Sequence, residues 1–564
     1  MHRLLKLCLA PSAAAMLFVV GCAAPVAAPT ERAALEEPAR QYDGFGNFTR
    51  PISTKSPEAQ RWFNQGMQLL YGFNHDEAIR SFHEAASIDP TCAMAWWGVS
   101  YASGLHINNP EMTEEKCKLA WDAAQKAVAL ADNATAPERA LIFAVARRYE
   151  WPVTGDRRHL DEAYAAAMRE ARGAFPSDPD IGALYAESLM NLQPWDYWTA
   201  DGEPKGSINE IVRTLESVMA LYPSHPGANH FYIHAVEASR DPDRAVAAAD
   251  RLGTLVPGSG HLVHMPSHIY ARVGRYSDAS VANERAIEAD RAYFEVAPPP
   301  RFYRIYYMHN VHFLAFASMM EGRYEASLDA ARRIEREVPD SFLRANAHMA
   351  DGFMPTTLHV LVRFGKWEEV LEEPRPPAYR RFSTAMWHYA RGVALAALGR
   401  TDESRRELNA LRRGAAEMPE TWFVGNNPCR NILDIAQLML EGELSFHEGE
   451  RERAFVLLRD AATLEDALRY DEPPGWMHPV RHALGALLIA DSRFAEAERV
   501  YREDLARNRE NGWGLTGLEQ ALRAQNKNAE ADAVHTRRTT AWARADIAPV
   551  ASCFCQPSLP LARQ

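Results

Sequence analysis

Residues 61–90 read RWFNQGMQLLYGFNHDEAIRSFHEAASIDP, and their spacing decides the fold. Trp62, Gly66 and Leu69 fall on one side of a first helix; Ala78, Phe82 and Ala85 fall on one side of a second. Apolar and small residues at intervals of three and four mark the helical period. A large residue early in the first helix packs where the second presents small ones. Gly66 and Ala78 let the two backbones approach, and Pro90 ends the second helix. Trp96 follows Trp62 by one full period of such a hairpin.

The pattern recurs along the chain. GRYSDASVANERAIEAD (274–290) and GRYEASLDAARRIEREVP (322–339) are turn-plus-second-helix segments, as are FGKWEEVL (364–371), LGRTDESRREL (398–408), EGERERAFVLLRDAA (448–462) and DSRFAEAERVYREDLAR (491–507). Trp513, Gly517 and Ala529 mark a last, degenerate unit. No run alternates in the manner of a strand. These units resemble the tetratricopeptide repeat, and the resemblance covers about residues 56–547. It implies an all-α, right-handed α-solenoid of roughly ten to twelve hairpins with an extended concave face. NHFYIHAVEAS, GHLVHMPSHIYARVGRY, MHNVHFLAFASMMEGR and NGWGLTGLEQALRAQ are similar to bacterial exported, lipoprotein-type tetratricopeptide proteins. That closer resemblance implies a fold and leaves activity open.

The concave face carries the chemistry. With Trp62 at repeat slot 4 and Ala78 at slot 20, slots 2, 5, 9, 12 and 13 line the groove of the resembled fold. Anchoring one repeat on Gly274 and Ala279 puts His261, His264 and His268 at slots 2, 5 and 9, with Arg272 at slot 13. The preceding repeat gives His230 and His234, with Glu237 at slot 12; the following one gives His309 and His312. Glu187 takes the slot of His234 one repeat earlier, and His359 and Arg363 continue the stripe one repeat later. Neutral imidazole ligates zinc, copper, nickel and iron. His230/His234 and His264/His268 have the i, i+4 spacing that chelates one ion from a single helix turn. Glu187 and Glu237 have the chemistry to complete a shell or orient the rings. A hydrogen-bonded histidine ladder, a peptide or anion groove using Arg272 and Arg363, and a metal site all remain open at this point. The pair His478/His482 reads as a solvated second patch. Trp195, Tyr197 and Trp198 of the inserted loop 191–206 either cap the groove or seal the loop onto the solenoid.

Enzyme motifs are thin. His264-Met-Pro-Ser-His268 lacks the glutamate of H-E-x-x-H, and there is no G-x-S-x-G elbow or Walker loop. The chain of 564 residues has a formal net charge of −12 and no basic stripe, which argues against nucleic acid as a partner. Residues 1–21 pair a short basic start with an apolar run too short to span a membrane. The run ends in Val19-Val20-Gly21-Cys22, which resembles the bacterial lipobox and implies cleavage before Cys22 and lipidation of its thiol. Ala23 implies the outer membrane by resemblance to lipoprotein sorting, with membrane contact through the lipid only. Residues 22–55 read as a flexible tether and 548–564 as a loose tail holding Cys553 and Cys555. The expectation is a lipid-anchored envelope binding module or scaffold whose histidine groove takes a partner peptide, an anion or a transition metal. The alternatives are a metalloenzyme with a copper, iron or zinc centre and a purely structural envelope scaffold. Cys22→Ser should abolish labelling by a radioactive fatty acid and move the protein from the membrane to the soluble fraction of a Gram-negative host; unchanged labelling contradicts the lipobox reading.

Overall fold

The computed structural model describes residues 38–153, 155–297, 302–547 and 549–555. The signal segment, Cys22 and the start of the expected tether lie outside the described residues. From Pro57 onward the chain is a succession of helices joined by short turns and a few longer loops. Most helices pack on the next, and several on the next but one. This is a tetratricopeptide-type α-solenoid. Among the described residues the single sheet is a two-residue hairpin, Phe423–Val424 against Asn427–Pro428, and no helix is long and apolar enough to cross a membrane.

Local chemistry sets the helix boundaries. Ser56 Oγ accepts from the Ala59 N–H ahead of Pro57, and the Asp178 carboxylate accepts from the Ile181 N–H ahead of Pro179. Each pairs a cap with a proline in the first turn. The turn between helices repeats one backbone conformation. Gly274, Gly322, Gly365, Gly399 and Gly449 have φ between 66° and 89°, five residues before Ala279, Ser327, Val370, Ser404 and Ala454. Phe73, Ser492 and Asn526 stand at the same place with φ of 55°, 60° and 61°. A side chain there costs roughly 1–2 kcal/mol, so Phe73 is held by its surroundings.

In two hairpins a pair of glycines about one repeat apart pinches a buried ring of the second helix. A Cβ on Gly66 would stand 2.5 Å from the Phe82 ring and one on Gly98 2.4 Å from it. Gly485 and Gly517 flank Tyr501 in the same way, at 2.4 and 2.0 Å. The hairpins stack this closely only without Cβ atoms at these points.

The superhelix closes on itself. Trp513 donates its indole N–H to the Met319 carbonyl at 3.0 Å, and Asp546 accepts from the Tyr324 and Glu325 N–H groups at 2.6 and 3.0 Å. Arg509 pairs with Asp243 and Arg544 with Glu321. From the other end, Tyr293 donates to Glu77 at 3.1 Å. The middle repeats therefore meet both ends of the chain, and the concave face becomes interior.

Both flanks differ from expectation. Residues 38–55 run as a packed strap. The Arg50 guanidinium bonds Asp178 and Asp180 at 2.9 and 2.7 Å, and Phe48 meets Tyr71 and His225 edge-on. The composition of a tether hides these anchors because each partner lies in a remote repeat. At the other end Ser552 is buried against Tyr501 and Arg363, Phe554 packs on Trp513, and Cys553 and Cys555 are paired. Gly98→Ala should lower the unfolding free energy by roughly 1–3 kcal/mol in denaturant titration, with part recovered by adding Phe82→Leu. An unchanged midpoint would contradict the pinched-ring packing.

Candidate metal centre

The helix Pro226–Val236 carries His230 and His234, the helices Gly260–His264 and Pro266–Arg272 carry His261, His264 and His268, and Tyr303–Met320 carries His309 and His312. Closure buries them. Except for His309, which is partly exposed, none shows more than 5% of its surface.

Two sets of three imidazoles converge. In each set, His230/His234/His261 and His264/His268/His309, one ring nitrogen per residue lies within 4.8 Å of the other two. In the first set His230 Nε2 stands 3.1 Å from His261 Nε2. In the second, His264 Nε2 is 2.8 Å and His309 Nε2 3.5 Å from His268 Nε2. A tetrahedral ion with nitrogen ligands at about 2.0 Å spaces its donors by roughly 3.3 Å.

The outward nitrogens have partners that fix their protons. His230 donates Nδ1–H to the Tyr71 carbonyl at 2.7 Å. His234 donates Nδ1–H to Glu237 Oε1 at 2.8 Å. His264 donates Nδ1–H to Asn283 Oδ1 at 2.7 Å, and the Asn283 amide is oriented by its own bond to the Ala279 carbonyl. His268 Nδ1 lies 2.6 Å from Glu237 Oε2, somewhat out of hydrogen-bond alignment but too near for two lone pairs. These four rings thus turn Nε2 lone pairs inward. Two lone pairs 2.8 Å apart, as between His264 and His268, repel unless a cation lies between them. His234 Nε2 is buried with no partner at all.

Burial sets the electrostatics. Desolvation first, then neighbouring imidazoles, holds His230, His261, His264 and His309 well below the usual imidazole range. Desolvation also lowers His234, against the pull of Glu237. Burial would raise Glu237, but His268 and His234 outweigh it and hold the carboxyl at about 2. Glu237 also accepts from the Tyr470 hydroxyl at 3.3 Å. Glu472, on the same loop, is pushed well up by burial and then by Glu237, and its Oε2 is buried without a hydrogen bond, 3.8 Å from His268 Nδ1. With Glu237 and His268 it forms a third converging group.

Aromatic rings wall the centre. Phe73, in its strained conformation, stacks on His106 and on His261, with centroids 4.4 and 5.4 Å apart. Tyr306 lies 4.4 Å from His261. Trp195 meets His234 edge-on at 5.1 Å and donates its N–H to the Ile107 carbonyl, while Trp198 donates to the Ala235 carbonyl. The inserted loop therefore both covers a histidine and seals itself to the solenoid.

Other candidates fall elsewhere. Glu187 accepts from Tyr101 and Asn191, beside Arg148, in a separate network where burial raises its pKa. Arg272 caps the Glu237 and Ser239 carbonyls at 2.9 and 3.0 Å. His312 leaves the convergence: its ring meets Phe353 instead. His478 and His482, read as solvated, are buried. His478 Nε2 contacts the His359 carbonyl at 2.8 Å, and His482 lies between Asp504 and Arg363. The docking of the C-terminal repeats on the Thr356–Arg363 helix covers them. Tyr71, Asn283, Tyr470 and Glu472 escape sequence reasoning, because no shared slot or motif joins them to the histidines.

No protein-family model and no curated protein matches the chain. Among solved structures, the human IFIT1 dimer with m7Gppp-AAAA aligns at 12% identity over 86% of this chain and 90% of its own, with a TM-score of 0.31. Yeast Tom70 aligns at 10% identity over 86% and 93%, with a TM-score of 0.28. Likenesses this weak carry no argument about function.

His312, outside the convergence, gives a test of the electrostatics. Burial lowers it to about 3, against about 6.5 in an unfolded chain. Below pH 6.5 the unfolded chain takes up a proton that the folded one refuses, so stability is lost as pH falls. Unfolding free energy should drop between pH 7 and pH 5 by about 2 kcal/mol more in the native chain than in His312→Leu, in chelator-treated protein. Identical pH dependence would contradict a buried neutral ring.

Proposed function

We propose that this protein is a metal-binding helical-repeat protein whose solenoid closes around a histidine centre for a first-row transition ion. The carrying observation is the convergence of inward imidazole nitrogens whose outer nitrogens are tied to a carbonyl, an amide oxygen and a carboxylate. Metal-bound histidines have that outer arrangement, which fixes the tautomer and raises donor strength. A hydrogen-bonded ladder would set donors against acceptors, which His261 can do at His230, whereas His264 and His268, each with Nδ1 turned to an outer acceptor, oppose two Nε2 atoms at 2.8 Å. A peptide groove needs reachable rings, and these are buried. Nitrogen and carboxylate donors suit zinc, copper and iron. The exported, lipid-anchored location remains part of the proposal and rests on the residues up to Cys22. Protein prepared without an affinity tag should retain near-stoichiometric metal by elemental analysis. After stripping, copper(II) or zinc(II) should raise its Tm, and His264→Ala/His268→Ala should diminish both. Failure to retain metal, with a Tm indifferent to copper, zinc, nickel and iron(II), would sink the reading.

A further inference from the structure

Resting on that reading, we infer that the centre is dinuclear: His230, His234 and His261 hold one ion, His264, His268 and His309 hold a second, and Glu237 joins the two. The converging sets share no imidazole, and among the described residues no convergent group mixes rings of the two sets. A single ion within bonding distance of one set uses only that set.

The outer partners divide in the same way. Tyr71 serves the first set alone and Asn283 the second alone. Glu237 serves both, Oε1 at His234 and Oε2 at His268. Its carboxylate is thus a positioning residue for one imidazole of each ion and the shared negative charge between them. Each set also keeps one ring whose outer nitrogen is not committed in this way. His261 Nδ1 is buried without a partner, and His309 is the one partly exposed member. Each ion then has three protein nitrogens and an open position for an exogenous ligand, the arrangement that distinguishes a reactive metal site from a structural one.

The charge count supports a pair with open positions. Six imidazoles bind as neutral donors; of the two carboxylates near them, Glu237 touches a ring of each set and Glu472 approaches only His268. Two divalent ions would leave net positive charge in a desolvated interior, which small anions at the open positions would offset.

Copper(II) titration of the stripped full chain tests this, followed by calorimetry and electron paramagnetic resonance. Two equivalents should bind. The first should give an isolated spin signal, and the second should broaden it and bring the spin count below two per chain. His230→Gln/His261→Gln and His264→Gln/His309→Gln should each bind one equivalent with an uncoupled signal. Glu237→Gln should weaken both sites by tenfold or more, the order seen when an outer partner of a metal ligand is lost. Saturation at one equivalent in the native chain overturns the pair while leaving a mononuclear site intact. No binding at all overturns the metal reading itself. Circular dichroism of each variant separates loss of a ligand from loss of fold, and the native stoichiometry stands without any variant.

Discussion

An imidazole removed from water gives up its proton readily and keeps a lone pair that needs a partner. The closed solenoid places six such rings where water is scarce and the partners on one side are already supplied. Everything distinctive about the interior follows from that constraint: the inward lone pairs, the lowered basicity of His230, His234, His261, His264 and His309, and the carboxylate of Glu237 held ionised by imidazoles on either side. Without closure the same residues would line an open groove.

Closure itself depends on the ends of the superhelix meeting its middle. Trp513 reaches the Met319 carbonyl, Tyr470 reaches Glu237, and Tyr293 reaches Glu77. These contacts join residues separated by almost two hundred positions or more. A repeat array usually leaves its concave side to a partner; here the chain is its own partner. The strain at Phe73 fits the same picture, since a costly backbone conformation persists where the surroundings impose it and is often found at functional sites. Its ring is one wall of the histidine chamber.

How much of this is legible in the sequence differs by level. The hairpins are, because each depends on spacing within about thirty residues: the Gly66/Phe82 pinch and the turn at Gly274 are visible in single repeats. The histidine stripe is legible for the same reason, since a groove slot is a local register. His309 follows the register into the convergence and His312 does not, because a slot describes an angle on a straight helix and not the neighbour it meets. The closure is illegible. Arg50, Ser552 and Glu472 each act on a distant repeat, and no periodicity announces such a meeting. For that reason the strap reads as a tether, His478 and His482 read as solvated, and Glu187 reads as a groove carboxylate although it belongs to Tyr101 and Asn191.

Anomalous diffraction at the absorption edge of copper or zinc, from crystals of loaded protein, tests the central claim most directly. The account predicts strong peaks in the interior, one bounded by His230, His234 and His261 and one by His264, His268 and His309. Peaks confined to exposed histidines such as His159 and His535, with none inside the closed superhelix, would contradict it.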